Sequence, residues 1–135
     1  MSNPKLYNLK KFVNHSGRLI PLTFNKDFPM KVKRIFFIYG KKEYSRGNHA
    51  HKKCAQFLIP VYGAFKISLQ YKSKKKVYFI NQKNSKSLFV PPKIWCKIDF
   101  LKKNSILLVL ANYDYDFNDY IETMNEFFKF EKNKK

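Results

Sequence analysis

The clearest pattern along the chain is an alternation. From Ala64 to Tyr71, Phe65, Ile67, Leu69 and Tyr71 fall on one side and Lys66, Ser68 and Gln70 on the other. A period of two is that of a half-buried β-strand, whose successive side chains point to opposite faces. Lys72-Ser73-Lys74-Lys75-Lys76 then reads as a polar turn into Val77-Tyr78-Phe79-Ile80, so the pair predicts a hairpin with a solvated tip. The run Lys33-Arg34-Ile35-Phe36-Phe37-Ile38-Tyr39-Gly40 predicts a strand buried on both faces and closed by glycine. Leu88-Phe89-Val90 resumes extended structure, and Pro91-Pro92 forces a bend before Ile94 to Ile98. Ile106 to Ala111 has the branched composition of a fully buried strand. Only the end of the chain has helical spacing: Ile121, Met124, Phe127 and Phe128 recur at intervals of three and four, with Asn118 or Asp119 as the cap. Six or more short strands with one terminal helix predict an all-β fold, an antiparallel barrel or double-sheet jelly roll. No internal repeat is visible, and 135 residues suit one domain.

Composition narrows the class. With 44% hydrophobic and 18% aromatic residues there is ample area for a core, which argues against wholesale disorder. Apolar runs such as Ile106 to Ala111 stop far short of the roughly 18 to 20 residues of a spanning helix, so no membrane segment is expected. The opening Met1 to Tyr7 lacks an apolar signal core and the next residues are broken by Lys10-Lys11, which predicts a cytoplasmic protein. Cys54 and Cys96 form no C-x-x-C pair and read as reduced thiols. Charge adds a stronger signal: 28 Lys+Arg against 9 Asp+Glu give +19. Of those cations 24 precede residue 114, where only three of the acids lie, so the body is a polycation with an acidic C-terminal segment before a Lys-rich tail at 131–135. Such a field speeds the arrival of nucleic acid, acidic headgroups or phosphorylated small molecules. A Lys-rich compositional bias of the source would give the same figure with no polyanionic partner.

Candidate chemistry gathers in Arg46-Gly47-Asn48-His49-Ala50-His51-Lys52-Lys53. On a strand, His49 and His51 point to one face and enter the same barrel interior, while Ala50 faces the other way. The alternative is a hydrogen-bonded pair of core histidines; against it stands the cost of two polar rings in a small barrel that does not use them. His15, alone in a polar stretch, reads as a surface residue. With a reference pKa of about 6.5, two imidazoles can donate and accept protons near neutrality.

These residues carry a resemblance. Arg34 to Gly40, the Arg46 to Lys53 run, Gln56-Phe57-Leu58-Ile59 and Gly63 closely resemble the cupin-fold sugar-nucleotide 3,4-ketoisomerases. The likeness continues through Val90-Pro91-Pro92-Lys93-Ile94-Trp95, Leu107 to Ala111 and Asp119-Tyr120-Ile121, and spans about residues 18–130. The R-G-x-H-A-H-K core with the later P-P-x-x-W makes it specific. The resemblance implies a cupin jelly-roll barrel and a dTDP-linked 4-keto-6-deoxyhexose whose carbonyl moves from C4 to C3. It further implies no cofactor, a homodimer that exchanges strands, and a place in making 3-amino-3,6-dideoxy sugars for surface glycans such as lipopolysaccharide. The chemistry agrees with the residue inventory, because a ketose isomerisation needs only a base, an acid and an enediol or enediolate between them.

In this reading His49 removes the C3 proton, and His51 moves protons between the oxygens or holds the enediolate; the two roles are exchangeable. Arg46 and Lys52 are candidates for the diphosphate or the enediolate oxygen, Lys52 alternatively being a plain surface charge. Gln56 is a further substrate-binding candidate. Tyr39 is expected either to hydrogen-bond the sugar or to fill the core, and Trp95 to pack beneath the site, near the thymine, or within the core. Asn48, in the variable slot before His49, bears on which face of C4 is protonated. Metal-binding cupins add a Glu and a third His to the H-x-H pair; here those places hold Ala55-Gln56 and Cys96, so no metal is expected. Cys96 and Ala55 are departures from many relatives. Two competing readings are a nucleotide-sugar-binding cupin with altered or lost chemistry, and a basic nucleic-acid-binding β module. The second is disfavoured because the aromatics mostly fall on faces expected to be buried and no nucleic-acid motif appears.

Overall fold

A computed structural model describes residues 2–133. In chain order the strands are β1 (Lys5–Asn8), β2 (Phe12–Asn14), β3 (Gly17–Leu19), β4 (Arg34–Gly40), β5 (Ser45–His51) and β6 (Gln56–Tyr62). Then come β7 (Ala64–Tyr71), β8 (Lys74–Asn81), β9 (Lys86–Val90), β10 (Trp95–Phe100), β11 (Ser105–Ala111) and β12 (Tyr120–Ile121), with helix α1 (Met124–Lys132) last. Two five-stranded antiparallel sheets, ordered β1-β9-β6-β11-β4 and β12-β5-β10-β7-β8, make the jelly roll, and β2-β3 form a separate hairpin.

The core lies between the sheets, where Leu58, Leu88, Leu107 and Val109 meet Phe65, Ile67, Leu69, Ile80, Ile98 and Phe100. The alternating strand is β7, its apolar side inward. β6, β9 and β11 are apolar on both faces because a second cluster covers the outside of their sheet: Phe57, Ile59, Phe89 and Leu110 lie under Leu22, Phe28, Met30 and Val32. On the outside of the other sheet, Ala50, Trp95 and Ile121 pack against Phe127 of α1.

Four details differ from the sequence expectations. β4 is an edge strand buried on one face only: Phe36 and Ile38 pack on the core, while Ile35, Phe37 and Tyr39 are exposed. Tyr39, at 73% exposure, therefore does not fill the core. The β7–β8 turn is just Lys72-Ser73, both at positive φ, and the next three lysines belong to β8. A two-residue connection of this kind matches the twist of the flanking strands. Helix α1 is capped by Thr123, whose hydroxyl accepts the Glu126 N–H at 3.2 Å, in the T-x-x-E spacing of a capping box. Asn118 and Asp119 instead sit in a 3-10 turn (Phe117–Asp119), and Ile121 is in β12. Ten of the 24 aromatic side chains are exposed, among them Phe12 on the β2-β3 hairpin, Phe37 and Tyr39 on the β4 edge strand and Phe79 on the edge strand β8. Of the Lys-rich tail, Lys134 and Lys135 lie outside the described residues.

Gly63, between β6 and β7, has φ +88°, and a Cβ there would overlap the buried Ser105 side chain. Gly63→Ala combines backbone strain with overpacking and should lower unfolding free energy by about 1–3 kcal/mol. A urea melt checks this; an unchanged midpoint and slope would mean that the turn relaxes freely.

Candidate active site

Both histidines of β5 face the interior. Opposite them in register stand Cys96 of β10, across from His49, and Tyr120 of β12, across from His51. A bulge precedes the pair, with Gly47 and Asn48 at φ +85° and +36° and the register to β10 shifted between Cys96 and Ile98. A Cβ at residue 47 would come within 3.2 Å of the Cys96 carbonyl oxygen, so glycine lets the two strands close there. The imidazoles meet edge to face at 4.9 Å between centroids, and the Tyr120 ring lies 4.9 Å from His49 and 4.5 Å from His51.

Around them a cleft of about 540 Å³ opens between β4 and β5. Phe36, Tyr39, Arg46, His49, Gln56 and Tyr120 are among its walls. Deeper in, His51, Cys54, Ile94 and Cys96 line a small pocket floor shared with His49 and Gln56. Beneath His51 sits Asp119, buried, with Oδ2 3.0 Å from His51 Nδ1. The same carboxylate accepts the backbone N–H of Lys53 at 2.7 Å and of Cys54 at 3.3 Å. On the other side of the ring, Gln56 Nε2 is 3.4 Å from His51 Nε2, a long contact. An amide donor on Nε2 and a carboxylate on Nδ1 select the tautomer with its proton on Nδ1. Arg34, at the start of β4, donates from Nε to the Tyr113 carbonyl and lies over the Phe36 and Tyr115 rings.

Burial sets the protonation of this group. It lowers the His49 pKa to about 4, aided by the neighbouring His51 and opposed by a hydrogen bond with the Gly47 backbone. His49 is therefore neutral at physiological pH with a lone pair free. Burial lowers His51 as well, opposed by the Asp119 hydrogen bond and charge. The Cys96 thiol is pushed up to about 12 by burial and stays protonated. Burial raises Tyr120 too, with Arg34 working against it.

The sequence-based expectation that His49 is the base has a kinetic test. The acid limb of kcat/KM should fall near pH 4 and leave the rate flat between about pH 5 and 7, where an ordinary imidazole of pKa about 6.5 would already be losing activity. Stability follows the same sign. The unfolded chain binds a proton on residue 49 below about 6.5 and the folded one only near 4, so stability is lost as pH falls through that window. A pH–rate profile with a limb near 6.5 would contradict the assignment.

Of the residues singled out in the sequence, His49, His51, Arg46, Tyr39 and Gln56 come together at the cleft. Asn48 and Trp95 do not. Their alternate positions turn them to the outer face, where Trp95 Nε1 donates to Asn48 Oδ1 at 3.1 Å and the indole packs on Phe127. Lys52 is exposed in the turn after β5 and lines neither cavity; its N–H donates to the Asp119 carbonyl. Asp119, Tyr120 and Arg34 were not among the site candidates drawn from the sequence. Asp119 resembles a helix cap there, since aspartate is favoured at both kinds of position.

Among the described residues His51, Cys54 and Asp119 hold possible metal-ligating atoms within 4.8 Å of one another. That carboxylate already accepts two backbone N–H groups and faces the His51 proton, and burial raises the Cys54 pKa. The trio is thus a hydrogen-bonded support for one imidazole. No helix of the described residues is long and apolar enough to cross a membrane.

Comparison with known proteins places nearly the whole chain in a family. Residues 2–132 match the family described as FdtA: WxcM-like, C-terminal. The chain belongs to this family of sugar-nucleotide 3,4-ketoisomerases. It is 31% identical over 127 residues, 93% of its length and 91% of the relative's, to the TDP-4-oxo-6-deoxy-alpha-D-glucose-3,4-oxoisomerase of Aneurinibacillus thermoaerophilus. The crystal structure of QdtA, a sugar 3,4-ketoisomerase from Thermoanaerobacterium thermosaccharolyticum, in complex with TDP, has a TM-score of 0.89 and 32% identity, covering 98% of this chain and 96% of that one. A mutant of QdtA in complex with TDP-4-keto-6-deoxyglucose has the same TM-score and coverage, with 30% identity.

Proposed function

We propose that this family member converts dTDP-4-keto-6-deoxy-D-glucose to the corresponding 3-keto sugar, with His49 as the base. The observation that carries the reading is the neutral His49 imidazole beside the Asp119-anchored His51 in one cleft. His49 takes the proton from C3, and the electron pair of that bond forms the C3–C4 double bond while O4 becomes the oxyanion. A proton then passes from O3 to O4 through His51, whose Nδ1 side is pinned by Asp119. Delivery of a proton to C4 by the His49 imidazolium restores the base and completes the exchange: the C3 hydroxyl has become the carbonyl, and the C4 carbonyl the hydroxyl. No electrons leave or enter the sugar. Arg46 at the cleft wall offers its guanidinium to the diphosphate or the enediolate, Gln56 reaches both His51 and the cleft, and Tyr39 stands at the rim.

Protein mixed with dTDP-4-keto-6-deoxyglucose in D₂O tests this by proton NMR. A 3-keto product with deuterium at C3 or C4 is expected, and the C4 coupling reads whether its configuration is galacto or gluco. Binding of dTDP without exchange would favour the second reading, a nucleotide-sugar-binding cupin with altered chemistry, which the Cys96 thiol opposite His49 supports. A chelator should leave the rate unchanged, because Ala55-Gln56 and Cys96 supply neither a carboxylate nor a third imidazole. Loss of activity restored by a divalent ion would overturn the metal-free step.

The reading extends to a homodimer. Ile35, Phe37 and Tyr39 on the β4 edge, with Phe12, Val13 and Leu19 on the hairpin, form apolar surface suited to a second copy. Within this chain β1 pairs with β9. The two reduced cysteines suit a cytoplasmic enzyme that supplies deoxysugars for surface glycans.

A further inference from the structure

A second, larger concavity lies among the turns that precede β5, β7, β9 and β11, away from the end of β5 that carries His51. It measures about 780 Å³ and shares no lining residue with the histidine cleft. Lys42, Lys83, Lys102 and Lys103 come to it from three different turns, and no carboxylate lines it. Its uncharged polar groups are also oriented as donors. The Gln82 side-chain oxygen is taken by the Gly63 N–H at 2.6 Å. Asn81 Oδ1 accepts from the N–H groups of Lys83 and Asn84, both at 2.9 Å, and Asn84 Oδ1 from that of Lys86 at 3.0 Å. Each amide oxygen is thus engaged by the turn backbone, and among the described residues no hydrogen bond occupies the NH₂ of Asn81, Gln82 or Asn84. Arg18 adds a guanidinium beside the groove by donating to the Gln82 carbonyl at 2.6 Å.

A concave surface carrying four ammonium groups and three amide donors, with no lining acid, is complementary to a compact anion of several charges. We propose that this groove is a second ligand site, binding a small molecule that carries a di- or triphosphate group. The volume accommodates a nucleotide-sized molecule, and Tyr62, half-exposed at the wall, offers a ring face to a base. Concavity favours a discrete phosphorylated ligand over a flat headgroup surface, and the site stands independently of the chemistry assigned to His49.

Inorganic tripolyphosphate is the probe, titrated calorimetrically into the full chain at low salt. The variant Lys83→Ala/Lys102→Ala/Lys103→Ala should bind it roughly tenfold more weakly than the wild type, as expected for losing three exposed ammonium–phosphate contacts. Comparing the two proteins separates the groove from diphosphate binding in the histidine cleft. A control, Lys26→Ala/Lys31→Ala/Lys129→Ala, removes the same charge elsewhere and should bind like the wild type, and ketoisomerase activity should be unchanged in both. Equal affinity in the groove variant, or the same loss in the control, would overturn the proposal. So would a parallel fall in ketoisomerase activity, which would assign these lysines to the substrate. Sedimentation with phosphatidylglycerol vesicles that the groove variant loses, while tripolyphosphate binding stays at the wild-type value, would replace the small ligand by a lipid surface.

Discussion

His49→Asn should lower kcat by about 10² to 10⁴ while leaving the barrel folded, the range a positioned proton-transfer group supplies. Asparagine retains a planar polar side chain of similar reach but has no basic lone pair at neutral pH. Stability should not suffer, because the imidazole is held against a desolvation cost that pulls its pKa to about 4, and the amide carries no such burden. The measurement pairs single-turnover kinetics with a thermal melt and deuterium wash-in at C3. Loss of wash-in with an unchanged melt places the base at residue 49. An active variant would move that role to His51.

Asp119→Ala is expected to be costly in two ways. The substitution strips the acceptor from two buried or half-buried backbone donors, those of Lys53 and Cys54, and from His51 Nδ1. Orphaning donors of this kind costs roughly 2–4 kcal/mol in total, visible as a lower urea midpoint. Activity should also fall, but a destabilised protein gives an ambiguous reading, so Asp119→Asn is the sharper variant. Its amide oxygen can still serve the two backbone N–H groups. Its NH₂ then faces Nδ1 and drives the His51 proton to Nε2, toward the Gln56 amide and the cleft. A near-native melt with kcat down about 10²-fold is expected. A near-native melt with full activity would mean that the tautomer of His51 does not matter.

The jelly roll was legible because β7 shows its period openly and because β11 is long and branched enough to be nothing else. The histidine pair was legible for the same reason, since a spacing of two on a strand puts both rings on one face. Other features were hidden by physics that is not local. β4 reads as buried on both faces because Ile35, Phe37 and Tyr39 are apolar, yet it is the last strand of its sheet and the 20–32 segment covers the sheet elsewhere. Asn48 and Trp95 flank the motif positions in sequence and for that reason fall on the opposite face. Asp119 was invisible as a partner for His51 because 68 residues separate them. β1 and the β2-β3 hairpin carry too few residues for any periodicity to show.

That separation has a consequence for how activity arises in the cell. At about 5–20 residues per second, roughly 3 to 14 s of synthesis pass between the making of His51 and of Asp119. During that interval the strands already released can begin to pair around an imidazole that still lacks its anchor. Docking of β12 against β5, which brings Asp119 and Tyr120 beneath and beside the histidines, is then the closing step of maturation. A nascent chain would acquire its shape before its competence, and an unfolding event that frees only the segment from Asp119 onward would silence the enzyme without dissolving the barrel.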